Sequence, residues 1–202
     1  MKNSQVTLSQ GSTVVFEGLD RTGKSTQLQM LAGALDGSQT VFAHMPSGFT
    51  PFTNRVYQAL EATDEGPSSG LAQQLTHLAC HAENIGALIH AAESTSLVLD
   101  RWWWSTLAYG WYGGSIEQSG LSESSFRELI RTIWNPIVPS LVFVFLKPYQ
   151  LDKNNAEGVE LGYQELVAAH DGVAVPVPAL GPDETHAFIM DELLRRGIAA
   201  AV

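Results

Sequence analysis

Short apolar runs alternate along this chain with longer segments in which apolar residues recur every three or four positions. Thr13-Val14-Val15-Phe16 is the first run, followed by Thr40-Val41-Phe42-Ala43, Leu97-Val98-Leu99, Leu141 to Leu146, and a weaker one from Val173 to Val177. They are continuously apolar and rich in β-branched residues, the signature of parallel strands covered on both faces. Helical patterns fall between them, from about Lys24 to Leu35 and near Phe52–Glu61, Leu71–Ala92, Ser105–Tyr112, Glu123–Trp134 and Pro182–Arg196. Ser122 before Glu123 reads as a helix entry, and Pro182-Asp183-Glu184 places proline and acids in a first turn. Strand–helix alternation predicts an α/β sandwich around a parallel sheet.

Two segments break the alternation. Thr63 to Gly70 carries turn residues throughout. Pro148 to Gly162 is polar, contains Lys153-Asn154-Asn155 and shows no apolar period; in a nucleotide-binding fold such a segment is a candidate lid. With no internal repeat and no second composition zone, residues 1–202 are expected to form one domain. A chain of 202 residues buries roughly 70% of its unfolded surface, enough for a core without disulfides.

Composition narrows the function classes. At 45% hydrophobic and 16% charged residues the chain is neither disordered nor collagen-like. Eleven Lys and Arg against 21 Asp and Glu leave a net charge of −10, which disfavours a free-standing binder of nucleic acid backbone. The single cysteine, Cys80, excludes an internal disulfide framework or a Cys-rich zinc site. A polar start from Met1 to Ser12 and a longest apolar run of Leu141 to Leu146 predict no membrane partner and a cytoplasmic protein. The informative question is where the eleven cations lie.

Two of them, Arg21 and Lys24, lie in Gly18-Leu19-Asp20-Arg21-Thr22-Gly23-Lys24-Ser25, which matches G-x-x-x-x-G-K-[ST]. Such a loop turns its backbone N–H groups on a phosphate, with Lys24 reaching the β/γ-phosphates and the Ser25 hydroxyl coordinating Mg²⁺. The helix that follows, carrying Thr26, points its positive end at the anion. The loop sits between a buried strand and a helix, the context this motif requires. Arg21 is unusual inside it, and its fork would stabilise charge on the transferring group as a cis arginine finger. A second constellation, Asp100-Arg101, follows directly on Leu97-Val98-Leu99 and so emerges at the carboxyl edge of the sheet, where open α/β folds bind ligands.

At these residues the sequence resembles a family. Phe16 to Gln27 resembles the phosphate loop of thymidylate kinases, in the subtype with an arginine within the loop. D-R-x-x-x-S-x-x-A-Y from Asp100 to Tyr109 is similar to that family's second motif, and Pro139 to Leu146 stands where the family has its P-D-L strand. The resemblance implies a three-layer P-loop fold with a five-stranded parallel sheet, and transfer of the ATP γ-phosphate to a nucleotide with Mg²⁺. It implies that Lys24 and Ser25 hold ATP and Mg²⁺, and that Arg21 bridges donor and acceptor phosphates. Asp20 would approach the deoxyribose 3′-OH, Arg101 the acceptor phosphate, Asp100 the Mg²⁺ or its waters, and Tyr109 the sugar. A homodimer is implied by the family alone.

The chain also departs from the family. An arginine usual before the proline after the second strand is replaced in His44-Met45-Pro46. The helix that forms the base pocket reads Leu75-Thr76-His77-Leu78-Ala79-Cys80-His81, without the family's aromatic and the arginine four residues on. His77 and His81 share a helical face at a metal-binding spacing, but with no third ligand they read as pocket lining on the acceptor side, together with His44, or as plain helix surface or core. Of Trp102, Trp103 and Trp104 at least one is expected in the core; the competing functional reading stacks Trp102 or Trp103 on the base. Glu17 is expected to orient Arg101 or Mg²⁺, or to serve as a structural acceptor. The resulting expectation is an ATP- and Mg²⁺-dependent kinase of a deoxynucleoside monophosphate. The alternative acceptor is a hydroxyl on a modified pyrimidine such as 5-hydroxymethyluracil, free or in DNA, the only reading in which DNA is a partner. A non-catalytic nucleotide-binding protein comes last.

Overall fold

The computed structural model describes residues 6–35, 39–47, 49–62, 66–116 and 119–201. Residues 1–5, Gly48 and the first part of the predicted Thr63–Gly70 loop, residues 63–65, lie outside these.

Strands β1 (Val6–Leu8) and β2 (Thr13–Gly18) lead into helix α1 (Lys24–Ala34). Strand β3 (Thr40–His44), helices α2 (Pro51–Glu61) and α3 (Gly70–Ala92), and strand β4 (Ser96–Asp100) follow. Next come α4 (Trp103–Leu107), a π-helical turn (Ala108–Tyr112), α5 (Glu123–Trp134) and β5 (Leu141–Phe145). The chain continues through α6 (Glu157–Ala169), β6 (Ala174–Pro176), α7 (Pro182–Arg195) and β7 (Ala199–Ala201).

The main sheet is five-stranded and parallel, in the order β3-β4-β2-β5-β6. Its apolar strands are covered twice. Val15, Leu97, Leu99, Val142 and Val144 enter a core under α3 to α6, while Val14, Phe16, Val98, Leu141 and Phe143 enter a second core with α1 and α7. Side chains on a strand alternate in direction, so both faces need apolar residues, which is why the strands read as unbroken runs. The strand order reverses at β2, and the crevice beyond its carboxyl end is the position at which such sheets bind ligands.

Three differences from the sequence expectation stand out. Helix α6 begins at Glu157, so the candidate lid of 148–162 is shortened to the non-helical stretch before it. The predicted helix at Ser105 starts earlier, at Trp103, and its second half is a π-helical turn. Strands β1 and β7 were not expected; they pair antiparallel as a separate two-stranded sheet with Leu8 opposite Ala199. Both are too short for a periodic signal. The Ser122 entry stands, its side chain accepting the Ser125 N–H at the start of α5. No helix among the described residues is long and apolar enough to cross a membrane.

Candidate active site

Backbone register assembles the site before any side chain does. Asp100 lies beside Phe16 of β2 on one side and His44 of β3 on the other, all at the carboxyl edge of the sheet. Gly18 closes β2 opposite Phe145 with φ +126°, and a Cβ there would lie 2.1 Å from the Phe145 carbonyl oxygen, so only glycine fits. The loop from Gly18 then wraps over the sheet edge, with Arg21 itself at φ +58°. Arg101, at φ +70°, is a second non-glycine residue in the left-handed region. Both residues line the same cavity, and such backbones persist only where surrounding structure imposes them.

Lys24 is buried and folds back into the loop, donating to the Gly18 carbonyl at 3.3 Å, to the Leu19 carbonyl and to Thr22 Oγ1 at 3.4 Å. Burial, assisted by the nearby Arg101 charge, pulls its ammonium down to about 7, against the opposing carboxylates of Asp20, Asp100 and Glu17. The three oxygens it donates to are neutral, and phosphate oxygens would be charged acceptors in their place. Arg101 donates from one terminal nitrogen to the same Gly18 carbonyl, 3.1 Å, and to Ser105 Oγ, 2.9 Å; its other pairs with the Asp20 carboxylate. The guanidinium stands 5.3 Å from the Tyr109 ring centroid.

Behind Arg101 lies Glu17, fully buried. It accepts the N–H of Trp102 at 2.7 Å and of Ser105 at 3.0 Å, and the hydroxyls of Ser105 at 2.6 Å and Tyr163 at 2.9 Å. It thus satisfies orphan donors at the start of α4 and fixes Ser105 under Arg101. Of the alternatives for Glu17, the structural acceptor is the one drawn by these bonds. Burial pushes its carboxyl up, with the Arg101 charge and the Ser105 and Tyr163 bonds opposing.

All predicted site residues except Gly18, Glu17 and Trp103 line one cavity of about 800 Å3, so of the two tryptophans considered for base stacking only Trp102 reaches it. Its phosphate-loop end contains Asp20, Arg21, Thr22, Gly23, Lys24, Ser25 and Thr26, with Asp100 and Arg101 across from them. His44 bonds through Nδ1 to Asp100 at 2.9 Å and through Nε2 to the Tyr57 hydroxyl at 3.2 Å. The Asp100 carboxyl is held low despite its burial, chiefly by the His44 bond and charge and then by Arg101 and Lys24. The Ser25 hydroxyl and Asp100 carboxylate are hard oxygen donors suited to an ion that keeps most of its waters, as Mg²⁺ does. Among the described residues no group of three or more His, Cys, Asp or Glu could hold a metal by itself, so such an ion would need phosphate oxygens as well.

The far end of the cavity is neutral. Helix α3 contains no lysine or arginine, and it contributes Gln73, Gln74, His77 and His81. His81 is 2% exposed, bonds to Thr106 Oγ1 at 3.1 Å and packs edge-on against Trp134; burial, with the neighbouring His77, pulls its pKa to about 3. Trp104 is fully buried, and Trp102, 5% exposed, shares that core while forming part of the cavity wall. Its ring lies against Trp103, Trp104 and Trp134. Tyr57, Gln74, Ser105, Thr106 and Asn154 also line or support the site, though the motifs did not single them out. Ser105 alone had a signal, the serine of D-R-x-x-x-S.

Residues 16–143 match the family model described as thymidylate kinase. A thymidylate kinase of Chlorobium luteolum is 27% identical, with 91% of this chain and 97% of that protein covered. One from Exiguobacterium is 29% identical, with 91% and 92% covered. Among solved structures, thymidylate kinase from Ehrlichia chaffeensis superposes with a TM-score of 0.73 at 20% identity, covering 91% of this chain and 98% of that one. The Candida albicans enzyme gives 0.64 at 18% identity, with 96% of each chain covered.

Proposed function

The chain belongs to the thymidylate kinase family and is an ATP-dependent nucleotide kinase; we propose that its acceptor is a deoxynucleoside monophosphate, dTMP foremost. The observation that carries this reading is the division of one cavity into an end at the phosphate loop, where Arg21, Lys24, Arg101 and Lys153 gather among three aspartates, and an end on α3 without lysine or arginine. A nucleotide has the same division, phosphate at one end and an uncharged base at the other.

In this reading the loop amides and Lys24 hold the β/γ-phosphates of ATP, and Ser25 and Asp100 hold Mg²⁺ together with phosphate oxygens and water. The ion would neutralise charge on the transferring group. Arg101, fixed by Asp20, Ser105 and the Gly18 carbonyl, presents its guanidinium to the acceptor phosphate. Arg21 reaches the transferring phosphoryl group once it leaves Asp152, which it pairs with at 3.3 Å. Asp20 and Tyr109 flank the sugar. His44, His77, His81 and Trp102 form the base and phosphate walls. A phosphate nucleophile needs no protein base, so positioning and electrostatics carry the step. Family membership supports a single-domain cytoplasmic enzyme acting on a small molecule, as a homodimer. Nothing in the site favours DNA as acceptor over a free nucleotide.

The test is ADP release from Mg·ATP over the common and 5-modified deoxynucleoside monophosphates, with DNA carrying or lacking 5-hydroxymethyluracil as further acceptors. Preferential turnover of dTMP is expected. Turnover confined to modified DNA would overturn the assignment.

A further inference from the structure

The polar stretch between β5 and α6 is not free of the phosphate loop. Asn155 docks its carboxamide edge-on against the backbone of Asp20: Oδ1 accepts the Asp20 N–H at 2.8 Å, and Nδ2 donates to the Asp20 carbonyl at 2.8 Å. A carboxamide can pair in this two-point way only when its plane and its distance are both fixed. The next residue of the loop is held from the same stretch, the Tyr149 N–H donating to the Arg21 carbonyl at 2.9 Å. Asp152 takes the Arg21 side chain, and Asn154 Nδ2 approaches the Asp20 carboxylate at 3.4 Å. On its other side Asn155 Oδ1 receives the Tyr109 hydroxyl at 3.4 Å.

These ties meet at the two loop residues whose side chains the reaction uses. Arg21 is a β-carbon-bearing residue in the left-handed region, a conformation that persists only where surrounding structure imposes it. The carboxamide clamp sits on the peptide groups immediately before it. Asp20 in turn is the carboxylate partner of Arg101.

We propose that Asn155 is a positioning residue for phosphoryl transfer: by pairing with both backbone groups of Asp20 it fixes the direction of the Arg21 and Asp20 side chains, and so couples the post-β5 stretch to the phosphate loop. The proposal rests on the nucleotide kinase reading, and it acts through Arg21 and Asp20 rather than on substrate. Asn155→Ala removes both bonds. Asn155→Asp keeps the acceptor for the Asp20 N–H but loses the donor to its carbonyl.

The expected result for Asn155→Ala is a fall in kcat of about tenfold or more, with KM for ATP changed by less than about threefold, because the loop amides and Lys24 are untouched. In an Arg21→Ala background the same substitution should cost much less, since the residue it positions is gone. Asn155→Asp, which sets an anionic oxygen against the Asp20 carbonyl, should lose at least as much as Asn155→Ala. Independently of turnover, hydrogen exchange at the Asp20 amide should accelerate in Asn155→Ala, while the β2 and β5 amides keep their protection. Unchanged kcat and unchanged Asp20 exchange would overturn the proposal, as would an equal kcat loss with and without Arg21. A wild-type protein that turns over no nucleotide acceptor would instead overturn the kinase reading, and the exchange measurement would still decide the clamp.

Discussion

At the scale of single residues, the site depends on buried polar groups that are either saturated or held neutral. Glu17 is the saturated case, with four donors from α4 and Tyr163 converging on it. His81 is the neutral case, and it carries a pH prediction. An ordinary histidine takes up a proton near 6.5, whereas His81 in the fold does so only at about 3. Between these values the unfolded chain binds a proton that the folded chain does not, so stability falls as pH drops below 6.5. The slope from this one group is at most about 1.4 kcal/mol per pH unit. His81→Gln should remove it, and urea unfolding at neutral and mildly acidic pH, compared for the two proteins, checks this; equal slopes would refute it. The chemistry-bearing residues near the phosphate loop were legible because their spacing is local: Asp20, Arg21, Lys24 and Ser25 fall within six positions, and Asp100 and Arg101 end one apolar run. Asn155 was not legible in its role, because Asp20 lies 135 residues away; Glu17 was legible as an acceptor, but its donors, 85 or more residues away, were not.

Elements show why one helix escaped the sequence. In α6 the buried side chains Val159, Tyr163 and Leu166 recur at helical intervals, but Gly158 and Gly162 interrupt the pattern with residues that read as loop. The packing explains Gly162. A Cβ there would stand 2.6 Å from the Tyr112 ring, so α6 can approach the π-helical turn only without a side chain at that point. Helix propensity alone favours alanine over glycine by about 1 kcal/mol. Contact predicts the opposite sign. Gly162→Ala should destabilise the protein by about 1–3 kcal/mol through overpacking, measured by chemical denaturation. A gain in stability would mean that Tyr112 moves aside freely. By contrast α5 matched its expected limits of Glu123 to Trp134, because a serine cap, an acidic first turn and three buried residues at helical spacing all agree there.

For the whole molecule, the acidic balance and the phosphate site are reconciled by placement. The net charge of −10 describes the surface at large, while Arg21, Lys24, Arg101 and Lys153 all line the one cavity. Strand order could not be read from the chain, since pairing of distant runs leaves no local mark. The β1–β7 pair shows a further long-range tie: Leu8, 2% exposed, joins the core formed with α1 and α7. Leu8→Ala should cost about 2–5 kcal/mol in denaturation, a loss seen in stability with little change in KM, since this core lies on the sheet face away from α3. A change confined to KM would contradict that division. Within the site, Lys24 and Arg101 lean on one oxygen, the Gly18 carbonyl. In the proposed reading, a donor phosphate that drew the ammonium off that oxygen would leave the guanidinium as its sole charged donor. On the proposed roles of the two cations, the donor and acceptor subsites would meet at a single peptide oxygen.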